Sequence, residues 1–395
     1  MKKYELEGTF MPTRLRTVVF LCSVLLSMTA LGQKSIKLEK QQTNFFYTQV
    51  NLHGGYVSDV NGQRWDITNR SPFNQIVFQY LGKSQRRLQK GYVKLISLNS
   101  YKLKSGIVYK QYVNAAGQKN AKLDFKIFDS WLKFDTKWDR TKVWIGNRSI
   151  PYGHDPKMDP ASSFMTNITK MDLGFVQDLG LFVKTPINRK LDAEISVTTG
   201  GLLNRPFLVC DNLIDQNLPQ QSGMSVQFDG YEYNRTFLAL GRIGNQTFNK
   251  NELGIIGLAG AINSTFIPND RITLLRLGGD WVYKYNELFK LSNRVFAGFS
   301  NSGLEGKFIS LNAQSSVDIF LKGRFFLSSS FAINSATARN SSLYHLNRTF
   351  ANSFTYSIST HTRLRLNAYN SYIKEVNEKQ WGILLQFITG FGKRG

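Results

Sequence analysis

The segment Lys379–Gly395 reads KQWGILLQFITGFGKRG. Trp381, Ile383, Leu385, Phe387 and Phe391 recur at intervals of two or four. Gly382, Gln386 and Gly390 fall between them. A period of two puts the first set on one face of a strand and the second on the other. Phe391 ends the predicted strand four residues before Gly395.

The same alternation recurs upstream. Leu364, Leu366 and Tyr372 alternate with Arg363, Arg365 and Asn367. Ile309, Leu311, Ala313 and Val317 alternate with Ser310, Asn312, Gln314 and Ser316. Leu275, Leu277, Trp281 and Tyr283 alternate with Arg276 and Asp280. Leu173, Phe175, Leu179, Leu181 and Val183 read as the apolar face of a strand that carries Asp178 and Lys184 on its other face. One such segment is weak, but repetition at even spacing predicts a single antiparallel transmembrane β-barrel, an all-β fold. Short turns are expected near 359–361, 320–322, 286–288, 186–188 and 135–136, and at 244–251. Longer external loops are expected near 374–378, 333–347, 301–306, 265–271, 201–234 and 149–171. Thirteen strands are expected from Ala121 onward. Upstream lie four candidates, 45–57, 74–81, 90–102 and 106–113. An even total requires three of them, giving 16 strands, with 14 or 18 as the alternatives.

The N-terminus predicts export. Arg14 and Arg16 precede an apolar run from Thr17, which closes on Ala30-Leu31-Gly32. That order is a secretory signal peptide, residues 1–32, with Met11 as a second possible start. A short segment 33–43 then leads to the barrel, 44–391, and the expected location is the outer membrane. Cys22 lies within the signal, and Cys210 is alone after it, so no internal disulfide is expected.

The formal charge is +23. Residues 1–32 hold four cations (Lys2, Lys3, Arg14, Arg16) and two acids (Glu5, Glu7), so the mature chain keeps +21. On an exported barrel that excess points to anions in a pore or to anionic membrane lipid rather than to nucleic acid. His53, His154, His345 and His361 are scattered, without metal-ligand spacing, and no cofactor is expected. No Ser–His–acid constellation is legible, so the chain is read as a non-enzyme.

Candidate lumen residues follow from strand parity. A charge facing lipid at mid-bilayer costs about 2–4 kcal/mol, which turns Arg363, Arg365, Arg276, Arg294 and Lys184 inward. Either they attract anions or they pair with Asp178, Asp192, Glu194 or Asp280. Arg148 tops a rising strand, at the pore entrance or against rim phosphates. His154, Lys157 and Lys170 lie in the loop from Ser149 to Met171, which Pro151, Pro156 and Pro160 stiffen.

Residues 125–187 carry a family likeness. They run FKIFDSWLKFDTKWDRTKVWIGNRSIPYG, then a loop, then DLGFVQDLGLFVKTPI. A hairpin, then Gly146 and the Pro-aromatic-Gly element Pro151-Tyr152-Gly153, a loop and a descending strand resemble the phosphate-selective porin O and P family. The family hairpin is usually richer in Arg than Phe125–Trp131, where Lys126 stands nearly alone. The resemblance implies a homotrimer of 16-stranded barrels with a loop folded inward to narrow the pore. The functional expectation is an outer-membrane porin for small hydrophilic, anionic, phosphate-like solutes. The alternative is a structural or adhesive barrel without an open pore.

Overall fold

The computed structural model describes residues 41–59, 62–66, 74–85, 96–113, 119–127, 130–136, 141–153, 173, 175–201, 236–245, 251–263, 271–285, 288–303, 306–321, 324–338, 344–374 and 378–394. Among them are eighteen strand segments in one antiparallel sheet. In chain order these are β1 (Gln41–Asp59), β2 (Gly62–Asp66), β3 (Asn74–Gln85), β4 (Ile96–Val113), β5 (Lys119–Ile127) and β6 (Ser130–Thr136). Next come β7 (Lys142–Ser149), β8 (Gln177–Pro186), β9 (Leu191–Thr198), β10 (Phe237–Asn245), β11 (Asn251–Asn263) and β12 (Arg271–Tyr285). The last six are β13 (Phe289–Ser302), β14 (Gly306–Leu321), β15 (Phe325–Ala338), β16 (Tyr344–Ser357), β17 (Thr362–Ile373) and β18 (Glu378–Arg394).

Two pairs of segments share a position in the wall. β2 pairs with the far end of β1 and β3 with its near end. β5 and β6 likewise pair with the two ends of β4, with a register shift between Leu98 and Ser100. The wall therefore has sixteen staves. The described part of the upstream candidate 90–102 and the candidate 106–113 lie in one strand, β4. Closure is made by β1 against β18, in continuous register from Phe45↔Arg394 to Ser58↔Trp381. Among the described residues no helix is long and apolar enough to cross a membrane, and crossing is by strands.

Alternation sorts the side chains as the sequence pattern requires. On β14, Ile309 and Leu311 are exposed outward while Ser310, Asn312, Gln314 and Ser316 are buried on the lumen side. On β17, Leu366 is exposed while Arg365 and Asn367 are buried. The outer surface is thus a belt of Leu, Ile, Phe and Val, the surface a bilayer covers.

Two expectations change. β15 and β16 extend into 333–347, because strand ends above the belt continue their ladder through polar residues such as Asn334 and Ser335. Leu173 and Phe175 precede β8 rather than belonging to it, and both are buried in an internal apolar cluster instead of facing lipid. β8 itself keeps the predicted parity, with Leu181 exposed and Asp178 buried.

Links at one end of the barrel are short: β8 to β9 spans Ile187–Lys190, and β16 to β17 spans Ile358–His361. The other end carries the two longest links, residues 150–176 and 199–236. In outer-membrane barrels short turns are periplasmic and long loops external, which orients the chain.

Two measurements check this architecture. Leu277→Arg puts a cation on the most exposed part of β12. It should lower the folding free energy in vesicles by about 2–4 kcal/mol, read by urea titration, whereas Asn312→Ser on the lumen side should change it little. Deleting Phe391, which faces outward beside the seam, should reduce assembled barrel in membranes more than deleting Lys393–Gly395, read by heat-modifiable gel mobility.

Candidate functional site

The inner wall from β7 to β14 carries opposite charges at interleaved positions. Arg148 meets Glu194 at 3.0 Å, and Lys184 meets Asp192 at 3.5 Å. Arg242 reaches Asp280 with Nε at 3.1 and 3.2 Å from its two carboxylate oxygens. Lys284 bonds Glu252 at 2.7 Å, and Lys290 lies 3.9 Å from Asp318. Each cation has an acid on a neighbouring strand or one strand further, because inward-facing residues of adjacent strands stand side by side. Pairing offsets part of the cost of taking these charges out of bulk water.

Arg242 must cross β11 to reach Asp280 on β12. It does so over Gly254, where an added Cβ would run into both Asp280 and the Arg242 guanidinium. Arg148 is held from a second side, with its guanidinium 4.1 Å from the Trp144 ring centroid and 5.3 Å from that of Phe182. Such stacking leaves the planar group little freedom.

The chain leaving β7 turns into the lumen. Ile150, Pro151 and Tyr152 are buried, and Tyr152 stacks on Phe296 of β13 with centroids 4.0 Å apart and planes 6° from parallel. Arg294 donates through Nη1 to the Tyr152 carbonyl oxygen at 2.9 Å and through Nη2 to Gln314. Gly153 follows with φ +84°, a conformation that Gly adopts without strain. A Cβ there would meet Arg294 Cδ at 3.0 Å and Ile256 Cδ1 at 3.2 Å. Segment 150–153 is therefore pinned against β11–β13 by a charged hydrogen bond, a stacked ring pair and a close backbone approach. Leu173 and Phe175, at the far end of the same link, join Trp144, Phe182, Leu238, Ile256 and Phe296 in one apolar cluster.

Asp178 ties the two longest links together at their bases. Fully buried at the start of β8, it accepts hydrogen bonds from Thr199 Oγ1 at 2.8 Å and from the Gly201 N–H at 3.0 Å. It also accepts one from the Leu179 N–H at 2.9 Å.

Arg276 is buried between the exposed Leu275 and Leu277 and donates to the Phe299 carbonyl at 2.8 Å. Arg365 is buried on β17 and donates to Thr355 Oγ1 at 2.8 Å and to Gln386 at 3.4 Å. Arg363 shares its parity two residues away. Arg276 and Arg294 thus stand on the wall that receives segment 150–153, while Arg363 and Arg365 stand on β17, away from it. Of the expected site residues, Arg148 and Lys184 belong to the ion-pair ladder. His154, Lys157 and Lys170 lie outside the described residues, as does Cys210. Among the described residues no group of three His, Cys, Asp or Glu is placed to hold a metal. Sequence reading missed Arg242. Its signal is a lone cation at inward parity in the run Leu240-Gly241-Arg242-Ile243-Gly244.

No family model and no curated protein matches the chain. Solved structures match it in fold. OmpT of Vibrio cholerae, an outer-membrane protein described in its trimer form, aligns with a TM-score of 0.57 at 9% identity, over 88% of this chain and 99% of that one. The outer-membrane channel DcaP of Acinetobacter baumannii aligns with 0.53 at 9% identity, over 90% and 97%. An anion-selective porin from Comamonas acidovorans aligns with 0.52 at 12% identity, over 89% and 100%. The likeness is one of fold, that of a closed outer-membrane β-barrel.

Arg294→Met keeps bulk and removes both donors. A lost charged hydrogen bond of this kind costs about 1.5–3 kcal/mol, so segment 150–153 should detach. Single-channel conductance should then rise and heat denaturation of the barrel in detergent should occur at lower temperature. Unchanged conductance and unchanged thermal stability would show that the segment is held by other contacts.

Proposed function

We propose that the chain is a diffusion porin of the outer membrane for small hydrophilic solutes, with a preference for anions of the phosphate-like class. The observation that carries this reading is the placement of Arg276, Arg294 and Arg365 on the inner face of a sixteen-stave barrel, with Arg294 bonded to a segment that packs inside the wall. A barrel of that size leaves an aqueous channel unless plugged. The ion pairs of the β7–β14 wall are neutral in sum. Arg276, Arg294 and Arg365 stand on the same inner face, where they donate to carbonyl, amide and hydroxyl acceptors. In a partly desolvated passage such charges act more strongly than in bulk water, where a pair at 4 Å interacts by only about 1 kcal/mol.

An anion-selective porin among the structural relatives, and one relative described as a trimer, favour anion passage and a homotrimer. Export through a signal peptide cleaved after Gly32 belongs to the same reading. Lys157 and Lys170, which lie outside the described residues, belong to the same reading as further candidate cations for attracting anions.

The test is the reversal potential of purified protein in planar bilayers under a salt gradient. Chloride should permeate in preference to potassium. Arg363→Gln with Arg365→Gln should lower that preference while the barrel still assembles, because Gln keeps the lumen face polar. Lys157→Gln should act in the same direction more weakly. A wild-type pore that is closed or cation-selective would overturn the proposal in favour of a structural or adhesive barrel.

A further inference from the structure

Among the described residues the outer surface is mostly apolar, and one group of cations on it gathers across three adjacent strands. Arg348 on β16, Tyr372 on β17 and Lys379 on β18 are neighbours in register, Arg348↔Tyr372 and Tyr372↔Lys379. All three have outward parity, shared with Phe350, Leu366 and Ile383, which are exposed below them. Strands lie about 4.8 Å apart, so the Arg348 and Lys379 backbones are separated by about 10 Å, within the joint reach of the two side chains. The Arg348 guanidinium carbon sits 4.9 Å from the Tyr372 ring centroid. Lys374 follows at the exit of β17, where its N–H bonds the Leu346 carbonyl at 2.9 Å. Arg348, Lys374 and Lys379 are all exposed.

The height of this cluster is fixed by the ladder. It lies at the end of the barrel that carries the two long links, the external end. Directly beneath it come Trp381, stacked obliquely with Tyr56 at 5.7 Å, and then Ile383 and Leu385. Trp and Tyr mark the headgroup level of a bilayer. Three cations just above such a pair stand where lipid phosphates stand. Their outward parity turns Arg348 and Lys379 away from the acids of the inner wall.

We propose that Arg348, Tyr372, Lys374 and Lys379 form a binding site for the phosphate groups of an outer-leaflet glycolipid, whose acyl chains lie down the apolar surface over Phe350, Trp381 and Ile383. Arg348 supplies the planar, two-pronged donor and the lysines compact charges, the combination that suits tetrahedral phosphate. Tyr372 holds the Arg348 guanidinium in place through its ring face. The site rests on the barrel and its orientation and not on the channel reading, so it stands or falls separately from anion selectivity.

The test uses the purified, assembled barrel in detergent. Probes are rough lipopolysaccharide with both disaccharide phosphates, the same glycolipid after enzymatic dephosphorylation, and inorganic phosphate. Binding is read by native mass spectrometry and by thermal shift. The phosphorylated glycolipid should bind at least tenfold more tightly than the dephosphorylated one, and millimolar inorganic phosphate should not displace it. The variant Arg348→Gln, Lys374→Gln, Lys379→Gln should lose that preference, while Arg271→Gln with Lys307→Gln, cations elsewhere on the outer rim, should retain it. Assembly of each variant is checked by heat-modifiable mobility, and the single variant Arg348→Gln, expected to lose part of the affinity, serves if the triple one does not assemble. Equal binding of the two glycolipids, full binding by the assembled variants, or displacement by inorganic phosphate would overturn the proposal. So would a change of oligomeric mass in the glycolipid-free variant, which would make the patch a contact between copies of this chain.

Discussion

The structure depends on the closure of one backbone ladder in a medium without water. Every N–H and C=O within the hydrocarbon layer must find a partner inside the protein, because each unsatisfied group there costs several kcal/mol. A sheet in that setting cannot keep a free edge, and the pairing of β1 with β18 removes it. Closure joins the two ends of the chain, so an even number of staves follows when both ends lie on one side. β2 and β3 both pair with β1, and β5 and β6 both pair with β4, so each couple of segments continues one stave.

Once the wall is closed, parity divides the side chains between two solvents. The outer set meets acyl chains and is Leu, Ile, Phe and Val. The inner set is divided again. From β14 to β17 it is mostly Ser, Thr, Asn and Gln, groups whose hydrogen bonds carry no net charge. From β7 to β13 it includes an apolar cluster and a ladder of ion pairs, and this half receives the inward segment. The apolar cluster gives segment 150–153 a surface to bury against. Arg294 satisfies the carbonyl that such burial would otherwise leave without a partner.

The charge excess is correspondingly distributed rather than concentrated. Arg148, Lys184, Arg242, Lys284 and Lys290 are engaged with acids and stiffen the wall. Arg348, Lys374 and Lys379 face the membrane exterior. Net charge is thus a poor guide to the pore by itself: the same cation acts on solute, lipid or a neighbouring carboxylate according to its face and height.

The sequence by itself determined the strand faces, because a period of two is local: Leu366 must lie opposite Arg365 whatever the rest of the chain does. It also determined the stave number within narrow bounds, since closure allows only even totals, and it placed Arg276, Arg294 and Arg365 inward. Only the tertiary structure decided that Ile96–Val113 is one strand, because the register with β3, β5 and β6 is set by partners distant in sequence. Only the tertiary structure decided that Leu173 and Phe175 turn inward, since a periodic run looks alike at the end of a strand and in a loop that packs on the wall. The same holds for the partners of the cations. Arg242 reaches Asp280 across 38 residues, and Arg294 reaches Tyr152 across 142. Alternation says which face a side chain takes. What stands beside it on that face depends on which strands are neighbours, and on a segment that leaves β7 and packs on β13, six strands away.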